Sequence, residues 1–198
     1  MPSPRPADPR ERIERAAYEL FSQHGTRAVG VDALAERASV AKMTLYRHYP
    51  SKDELVLAFL RRREELWTRS WLEGVVRDHR RAPAERLLAI FDLFDGWFRR
   101  PSFEACSFAK VLLEHGDPKH RARVAARGHI QVVRSLVAGL AREAGVRDAE
   151  RFAQQWQMLM MGSIIAAYAG ERDAARSARE VGALLLASEG LRKRRRRK

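Results

Sequence analysis

Apolar residues recur every three to four positions along almost the whole chain, and no stretch keeps the alternation of a β-strand. The first such run is Ile13, Ala16, Ala17, Leu20 and Phe21. This spacing predicts a helix with one buried side, and Gly25 is expected to end it. Pro83, Pro101 and Pro118 each stand near an expected helix start, where proline is tolerated. The sequence therefore predicts an all-α chain.

The expected helices differ in length along the chain. A short second helix is marked by Val31, Leu34, Ala35 and Ala38. A third short helix follows, and a fourth begins at Ser51 and carries one apolar stripe as far as Val75. Five further helices are expected near 84–99, 102–115, 119–144, 148–170 and 173–191.

Residues 39–41, Ser-Val-Ala, separate the second and third helices. Two short helices joined by a three-residue turn form the helix-turn-helix pattern. In its DNA-binding version the second short helix lies in the major groove. The sequence Ser-Lys-Asp-Glu directly behind it is typical of a capping box, with Ser51 as the N-cap and Glu54 reaching back. This cap explains why a new helix begins there.

A helical wheel of residues 42–49 places Leu45 inward. The side chains that flank it are Lys42, His48 and Tyr49. The outward face consists of Met43, Thr44, Tyr46 and Arg47. These side chains can hydrogen-bond phosphates, reach base edges and contact a thymine methyl group. Short amphipathic helices with Tyr and Arg outside also occur in other proteins, so the spacing alone leaves both interpretations open.

Composition narrows the classes of partner. The 38 Lys and Arg residues against 25 Asp and Glu give a net charge of +13, which favours a polyanionic partner. Residues 192–198 alone, all Lys or Arg, supply +7 of this charge. Cys106 is the single cysteine and excludes an internal disulfide. The N-terminus lacks the apolar run of a signal peptide, and the run 158–170 is too short to span a bilayer, so we expect a cytoplasmic protein.

The segment VDALAERASVAKMTLYRHYPSKDELVLAFL, which begins at Val31, resembles the DNA-binding domain of the tetracycline-repressor (TetR) family. The positions that match the family pattern are Leu34, Ala35, Ala38, Val40, Thr44, Leu45, Tyr46, His48, Lys52 and Leu55. With the preceding helix, the resemblance covers about residues 9 to 60. It implies a DNA-binding regulator whose remaining helices sense a ligand and dimerise.

Three departures from the family pattern affect how many contacts the protein could make with the DNA backbone. Ser39 replaces the turn glycine, which costs roughly 1 kcal/mol if that backbone is left-handed. Ala41 replaces a frequent serine or threonine. Val29 and Gly30 replace hydroxyl residues before the second helix, which therefore has a poorer cap.

The resemblance implies a role for each predicted contact residue. Tyr46, His48 and Lys52 would contact phosphates, as Thr44 does in some members. The residues that would face base edges are Lys42, Met43, Thr44 and Arg47. The alternative to a phosphate contact for His48 is an imidazole packed beneath the helix. Tyr49 is expected in the core.

The predicted domains are an N-terminal disordered arm (1–8), a helix-turn-helix domain (9–53), a ligand-binding and dimerisation domain (54–191) and a basic tail (192–198). The basic tail could increase nonspecific affinity for DNA, or it could be a solvated segment with no specific role.

The helix near 148–170 is apolar on two sides, which predicts burial against its own core and against a partner subunit. The dimerisation residues are expected to be Phe152, Trp156, Leu159, Ile164, Val181 and Leu185. The resemblance implies a four-helix bundle built by the last two helices across a two-fold axis. The alternative is a central core helix of a monomer.

Aromatic and methionine side chains of the later helices suit an apolar, adaptable ligand site. The ligand-binding candidates are Trp67, Trp71, Trp97, Phe103, Phe108, Trp156 and Met160. Residues of this kind at helical spacing are also ordinary core residues. We expect a small, mostly apolar effector and no metal or cofactor. The fourth helix, from Ser51 towards Trp67 and Trp71, is the expected route of coupling.

The resemblance, together with these patterns, implies a homodimeric repressor that binds an inverted-repeat operator in double-stranded DNA and is released by its effector. The alternatives are a helical-bundle enzyme and a basic membrane-surface protein. The sequence contains no Glu-x-x-His pair of a di-iron bundle and no Gly-rich phosphate loop. A membrane-surface protein needs a free amphipathic helix with a basic face, whereas these helices are expected in a core. The sequence therefore favours a regulator and not an enzyme.

Overall fold

The computed structural model describes residues 8–190, and these form helices and connecting turns without a strand among them. The prediction of an all-α chain is confirmed. The expected basic tail and, except for Asp8, the expected arm lie outside the described residues. Within residues 8–190, no helix is both long enough and apolar enough to cross a membrane.

The helices in chain order are α1 (Pro9–His24), α2 (Val31–Arg37), α3 (Lys42–His48), α4 (Lys52–Arg63), a π-helix (Glu64–Leu72), α5 (Glu73–Val76), α6 (Pro83–Phe98), α7 (Ser107–Glu114), α8 (Arg121–Glu143), α9 (Ala149–Tyr168) and α10 (Ala174–Ser188). Two of the expected helices differ from this. The fourth was expected as one regular stripe to Val75, but its middle is π-helical. The helix expected from 102 begins at Ser107, because Ala105 has a left-handed backbone, with φ 62°, that no helix can include.

The chain forms two compact units. The described part of unit 1 comprises residues 8–65 and 106–129, and that of unit 2 comprises residues 66–105 and 130–190. Unit 1 thus contains α1 to α4 together with α7 and the start of α8. The expected domains 9–53 and 54–191 follow a functional division and stay a prediction.

Unit 1 is built around α1. Asp8 caps its start by accepting from the Arg10 amide, and Gly25, at φ 81°, ends it as expected. The buried side of α1 carries Ile13 and Phe21, and the Phe21 ring packs edge-on against Phe59 of α4 at 5.6 Å between centroids. This packing fixes α4 on α1 and leaves α2 and α3 to cover the remaining apolar surface.

Unit 2 packs α6, α9 and α10 together. Trp156 of α9 is fully buried and contacts Phe91 of α6 at 5.2 Å between ring centroids. A Cβ atom at Gly182 of α10 would lie 2.8 Å from Cη2 of Trp156. The indole therefore packs directly on the α10 backbone, and a side chain at position 182 would force α9 and α10 apart.

Candidate nucleic-acid interface

The turn between α2 and α3 is a Schellman motif. The Ser39 amide donates to the Glu36 carbonyl at 2.9 Å, and the Val40 amide donates to the Ala35 carbonyl at 3.0 Å. Ser39 has φ 51°, so the backbone at this position is left-handed. Arg12 of α1 donates to the Ser39 carbonyl at 3.0 Å. The chain thus reverses tightly after α2, and α3 starts within three residues.

The inner side of α3 is anchored by two residues. Leu45 is fully buried, and Tyr49 directly after the helix is also buried. The Tyr49 hydroxyl donates to the Glu14 carboxylate of α1. Burial and this carboxylate raise the pKa of Tyr49, which keeps the phenol protonated as a donor. Tyr49 therefore belongs to the packing of α3, as the wheel predicts.

The outer side of α3 is open to solvent. Met43 is 78% exposed, and Lys42, Tyr46 and Arg47 are exposed beside it. We call these four residues the α3 face. The Lys42 ammonium pairs with Asp32 of α2 at 2.7 Å, and this hydrogen bond raises the pKa of Lys42. This ion pair links the start of α3 to α2 and leaves two donors of the Lys42 ammonium.

Thr44 and His48 are half-buried at the edges of the α3 face. Neither α2 nor α3 has a side-chain cap at its start, since Gly30 and Ala41 occupy the N-cap positions. This agrees with the poorer cap expected before α2. The backbone donors of the first turns are left to water or to a bound partner.

Lys52 opens α4 next to this surface. The Ser51 hydroxyl accepts from the Glu54 amide at 3.2 Å, which is one half of the predicted capping box. The Glu54 carboxylate accepts instead from Arg121 at 2.5 Å. The Lys52 ammonium donates to the Arg27 carbonyl at 3.3 Å, and partial burial lowers its pKa. Sequence reasoning missed Arg27, because no local pattern connects the α1–α2 turn with the start of α4.

Four of the ligand candidates form one aromatic cluster in unit 2. Trp67 lies 5.7 Å from Trp71 and 5.3 Å from Trp97 between ring centroids. Trp97 in turn lies 4.9 Å from Phe103. A cleft of about 320 Å³ beside this cluster is bounded by Trp71 and by residues of α5 and α6. These four aromatic side chains lie together, and their role as a ligand site stays a prediction.

The other ligand candidates lie elsewhere. Trp156 and Met160 are buried among their own helices in unit 2. Phe108 belongs to unit 1, where its ring stacks on the buried His129 with 3.4 Å between centroids. Burial lowers the pKa of His129 to about 4, so its imidazole is neutral at pH 7.

The dimerisation candidates divide into inner and outer positions. Phe152, Trp156 and Ile164 are buried within unit 2, where they pack against their own chain. Leu159 and Leu185 are half-buried, and Val181 is exposed. Beyond these six candidates, the exposed apolar residues of α9 and α10 are Met158, Ile165, Tyr168 and Leu184. The inner residues thus pack within unit 2, and the role of all six residues in a subunit interface stays a prediction.

An exposed, polar and aromatic α3, set behind a tight turn and anchored on α1, defines a helix-turn-helix protein. The family profile of bacterial regulatory proteins of the TetR family matches residues 13–59. Over 47 residues the chain is 51% identical to the transcriptional activator FasR of Mycolicibacterium smegmatis, a match that covers 24% of this chain and 22% of FasR. Over 56 residues it is 48% identical to the repressor KstR of Rhodococcus jostii, covering 28% and 26% of the two chains.

Two solved structures match over nearly the whole chain. A putative TetR-type regulator from Streptomyces avermitilis has a TM-score of 0.84 and 26% identity, with 94% of this chain and 100% of that chain covered. A TetR-family regulator from Streptomyces coelicolor has a TM-score of 0.86 and 25% identity, with 92% and 90% covered. Residues 13–59 thus match the TetR family of bacterial regulatory proteins, and the fold of nearly the whole chain is similar to that of TetR-type regulators. Its sequence matches span about a quarter of the curated relatives.

Proposed function

We propose that this protein is a transcriptional regulator that reads double-stranded DNA with the α3 face. The observation that carries the proposal is the contrast between the two sides of α3. Leu45 is fully buried, whereas Met43 is 78% exposed beside Arg47. A large apolar side chain held out in solvent next to a guanidinium fits the major groove, where it can contact a thymine methyl group while Arg47 reaches guanine.

The predicted contacts divide by kind. Arg47 and Met43 point away from the helix support and are assigned to base edges. Tyr46 and Lys52 are assigned to phosphates, since a hydroxyl and an ammonium beside the helix can fix its register on the duplex. Lys42 is also assigned to base edges, since its ammonium keeps two donors while it is paired with Asp32 at 2.7 Å.

We further propose that the protein acts as a homodimer through the outer sides of α9 and α10. Met158, Ile165 and Leu184 are 63%, 56% and 71% exposed, and Val181 is half-exposed among them. A groove of about 380 Å³ between the two helices is bounded in part by Met158 and Val181. Contiguous apolar surface of this kind favours a protein partner, and a second copy supplies the matching surface around a two-fold axis.

The proposed effector is small and mostly apolar and binds at the aromatic cluster of unit 2. The indole nitrogen of Trp67 is buried and has no hydrogen-bond partner within residues 8–190. An effector with one acceptor atom would satisfy this donor while its apolar body contacts Trp71. We propose that effector binding releases a cytoplasmic repressor from its operator. A repressor is proposed because KstR, among the matched regulators, is named as one, although FasR is named as an activator.

The test is selection of genomic DNA fragments by the purified protein, followed by footprinting of the enriched duplex. A homodimer with one α3 per subunit is expected to protect an inverted repeat whose half-sites lie about 34–36 Å apart, or a multiple of that distance. Protection of direct repeats, or of sites without a dyad, contradicts the proposal. Sedimentation with anionic liposomes in parallel tests the membrane-surface alternative, for which liposome binding without fragment enrichment is the expected result.

A further inference from the structure

A carboxylate from α7 is inserted into the turn that follows α1. Oε2 of Glu114 accepts from the Thr26 amide at 2.9 Å, from the Thr26 hydroxyl at 2.5 Å and from the Arg27 amide at 3.2 Å. Its other oxygen lies over Gly25, where a Cβ atom would be only 2.0 Å away. We call Gly25, Thr26 and Arg27 the cradle. Three donors to one carboxylate make a strong, charge-assisted contact.

The cradle is connected directly to Lys52. The Arg27 amide donates to Glu114, and the Arg27 carbonyl accepts from the Lys52 ammonium at 3.3 Å. The Arg27 guanidinium also donates to the Glu114 carbonyl at 3.3 Å. One peptide segment is thus fixed by Glu114 on one side and orients Lys52 on the other. An ammonium has three donors, so two remain for a phosphate.

The residues after Lys52 are held by the turn between α7 and α8. Nε2 of His120 lies 3.4 Å from the Asp53 carboxylate, and Arg121 donates to Glu54 at 2.5 Å. The His120 ring stacks on His115 at 4.0 Å between centroids, and Nε2 of His115 lies 3.2 Å from the Thr26 hydroxyl. The cradle and the first turn of α4 are therefore fixed to the same segment of unit 1.

We propose that Glu114 is a positioning residue for DNA binding, which holds the cradle so that Lys52 is oriented towards a DNA phosphate before the duplex arrives. This inference rests on the proposed function. Glu114 cannot contact a phosphate itself, since both are anionic, so its effect must pass through Arg27 and Lys52. A side chain that is already oriented loses less conformational freedom on binding, which strengthens the contact.

The experiment is a double-mutant cycle on the full chain. Binding of the fluorescein-labelled duplex recovered from the genomic selection is measured by anisotropy at several salt concentrations, for Glu114→Ala, Lys52→Ala and the double variant. Glu114→Ala is expected to weaken binding about 3- to 10-fold and to lower the salt slope by about 1 per subunit, as loss of a phosphate contact does. The double variant is expected to bind no more weakly than Lys52→Ala alone.

Two further variants separate the positioning role of Glu114 from the general effect of removing a negative charge. Glu36→Ala removes a carboxylate of the exposed surface of α2 and is expected to leave DNA affinity unchanged or to raise it, because an anion is removed. Glu114→Gln keeps an acceptor oxygen for the cradle and is expected to lose less affinity than Glu114→Ala. Exchange of the Thr26 and Arg27 amide hydrogens, measured without DNA, is expected to accelerate in Glu114→Ala and not in Glu36→Ala.

Each contrary result has one meaning. If Glu114→Ala weakens binding by the same factor with and without Lys52, Glu114 stabilises the fold only and the inference is overturned. The same holds if the Thr26 and Arg27 amides exchange at the wild-type rate in Glu114→Ala. If the wild-type protein enriches no duplex at all, the proposed function fails, and this is seen before any variant is measured.

Discussion

Replacement of Ser39 by glycine is expected to stabilise the protein. Ser39 has φ 51°, and a left-handed backbone costs a residue with a Cβ atom roughly 1–2 kcal/mol. Glycine avoids this cost. It also has more conformational freedom in the unfolded chain, which reduces the gain in stability by about 0.4–1 kcal/mol. The Ser39 side chain is exposed. The hydrogen bonds of the turn are made by backbone atoms, and Arg12 donates to the backbone carbonyl of Ser39, so glycine keeps all of them. The net expected gain for Ser39→Gly is about 0.5–1 kcal/mol in the free energy of unfolding.

Urea denaturation of the wild type, Ser39→Gly and Ser39→Ala measures this gain. Ser39→Ala removes the hydroxyl and keeps the Cβ atom, so it is the matched control and is expected to give no gain. In a thermal scan each kcal/mol corresponds to a rise of about 2–4 °C for a chain of this length. A Ser39→Gly variant that is no more stable than Ser39→Ala would refute the reasoning that the Cβ atom strains this turn.

Three further predictions test the α3 face, the interior and the subunit contact. Arg47→Ala is expected to relax the preference at particular base pairs, whereas Lys52→Ala weakens binding to all sequences; a uniform loss for Arg47→Ala in fragment selection contradicts the assignment. The pKa of His129 is lowered to about 4 in the folded protein, so as the pH falls its imidazole is protonated in the unfolded chain before it is protonated in the folded one. The free energy of unfolding therefore decreases as the pH falls from about 6.5 towards 4, by up to about 1.4 kcal/mol per pH unit. Urea titrations at pH 7 and pH 5 check this, and an equal pH dependence in His129→Gln speaks against it. Ile165→Glu places a charge in the proposed dimer interface and is expected to give monomers in light scattering, while a dimer of unchanged mass would exclude that surface.

The features that the sequence predicted correctly are set by residues close together in the chain. Leu45 is buried and Met43 is exposed because a helix of 3.6 residues per turn places them on opposite sides. Ser51 caps α4 because its hydroxyl needs only the amide three residues later. In each case the physical cause acts within one or two turns.

The features that the sequence did not predict depend on distant residues. Glu114 contacts Thr26 across 88 positions of the chain, and neither residue has a neighbour that indicates the other. The π-helix at Glu64–Leu72 has no proline or glycine that would mark a change of helix type. Phe108 was grouped with the tryptophans on composition alone, although it belongs to unit 1 and stacks on His129. Apolarity shows that such residues are buried but not what they contact.

The two sides of α9 illustrate how packing resolves what periodicity leaves open. Both sides are apolar, so a helical wheel cannot tell the core side from the partner side. Gly182 decides between them, because the absence of a Cβ atom lets Trp156 pack on the α10 backbone and makes that side of α9 the inner one. Met158 and Ile165 stand seven residues apart, two turns along the opposite side, and both are exposed. A second copy of the chain is therefore expected to contact α9 at these two residues rather than at Phe152 or Trp156, which already have their partners within unit 2.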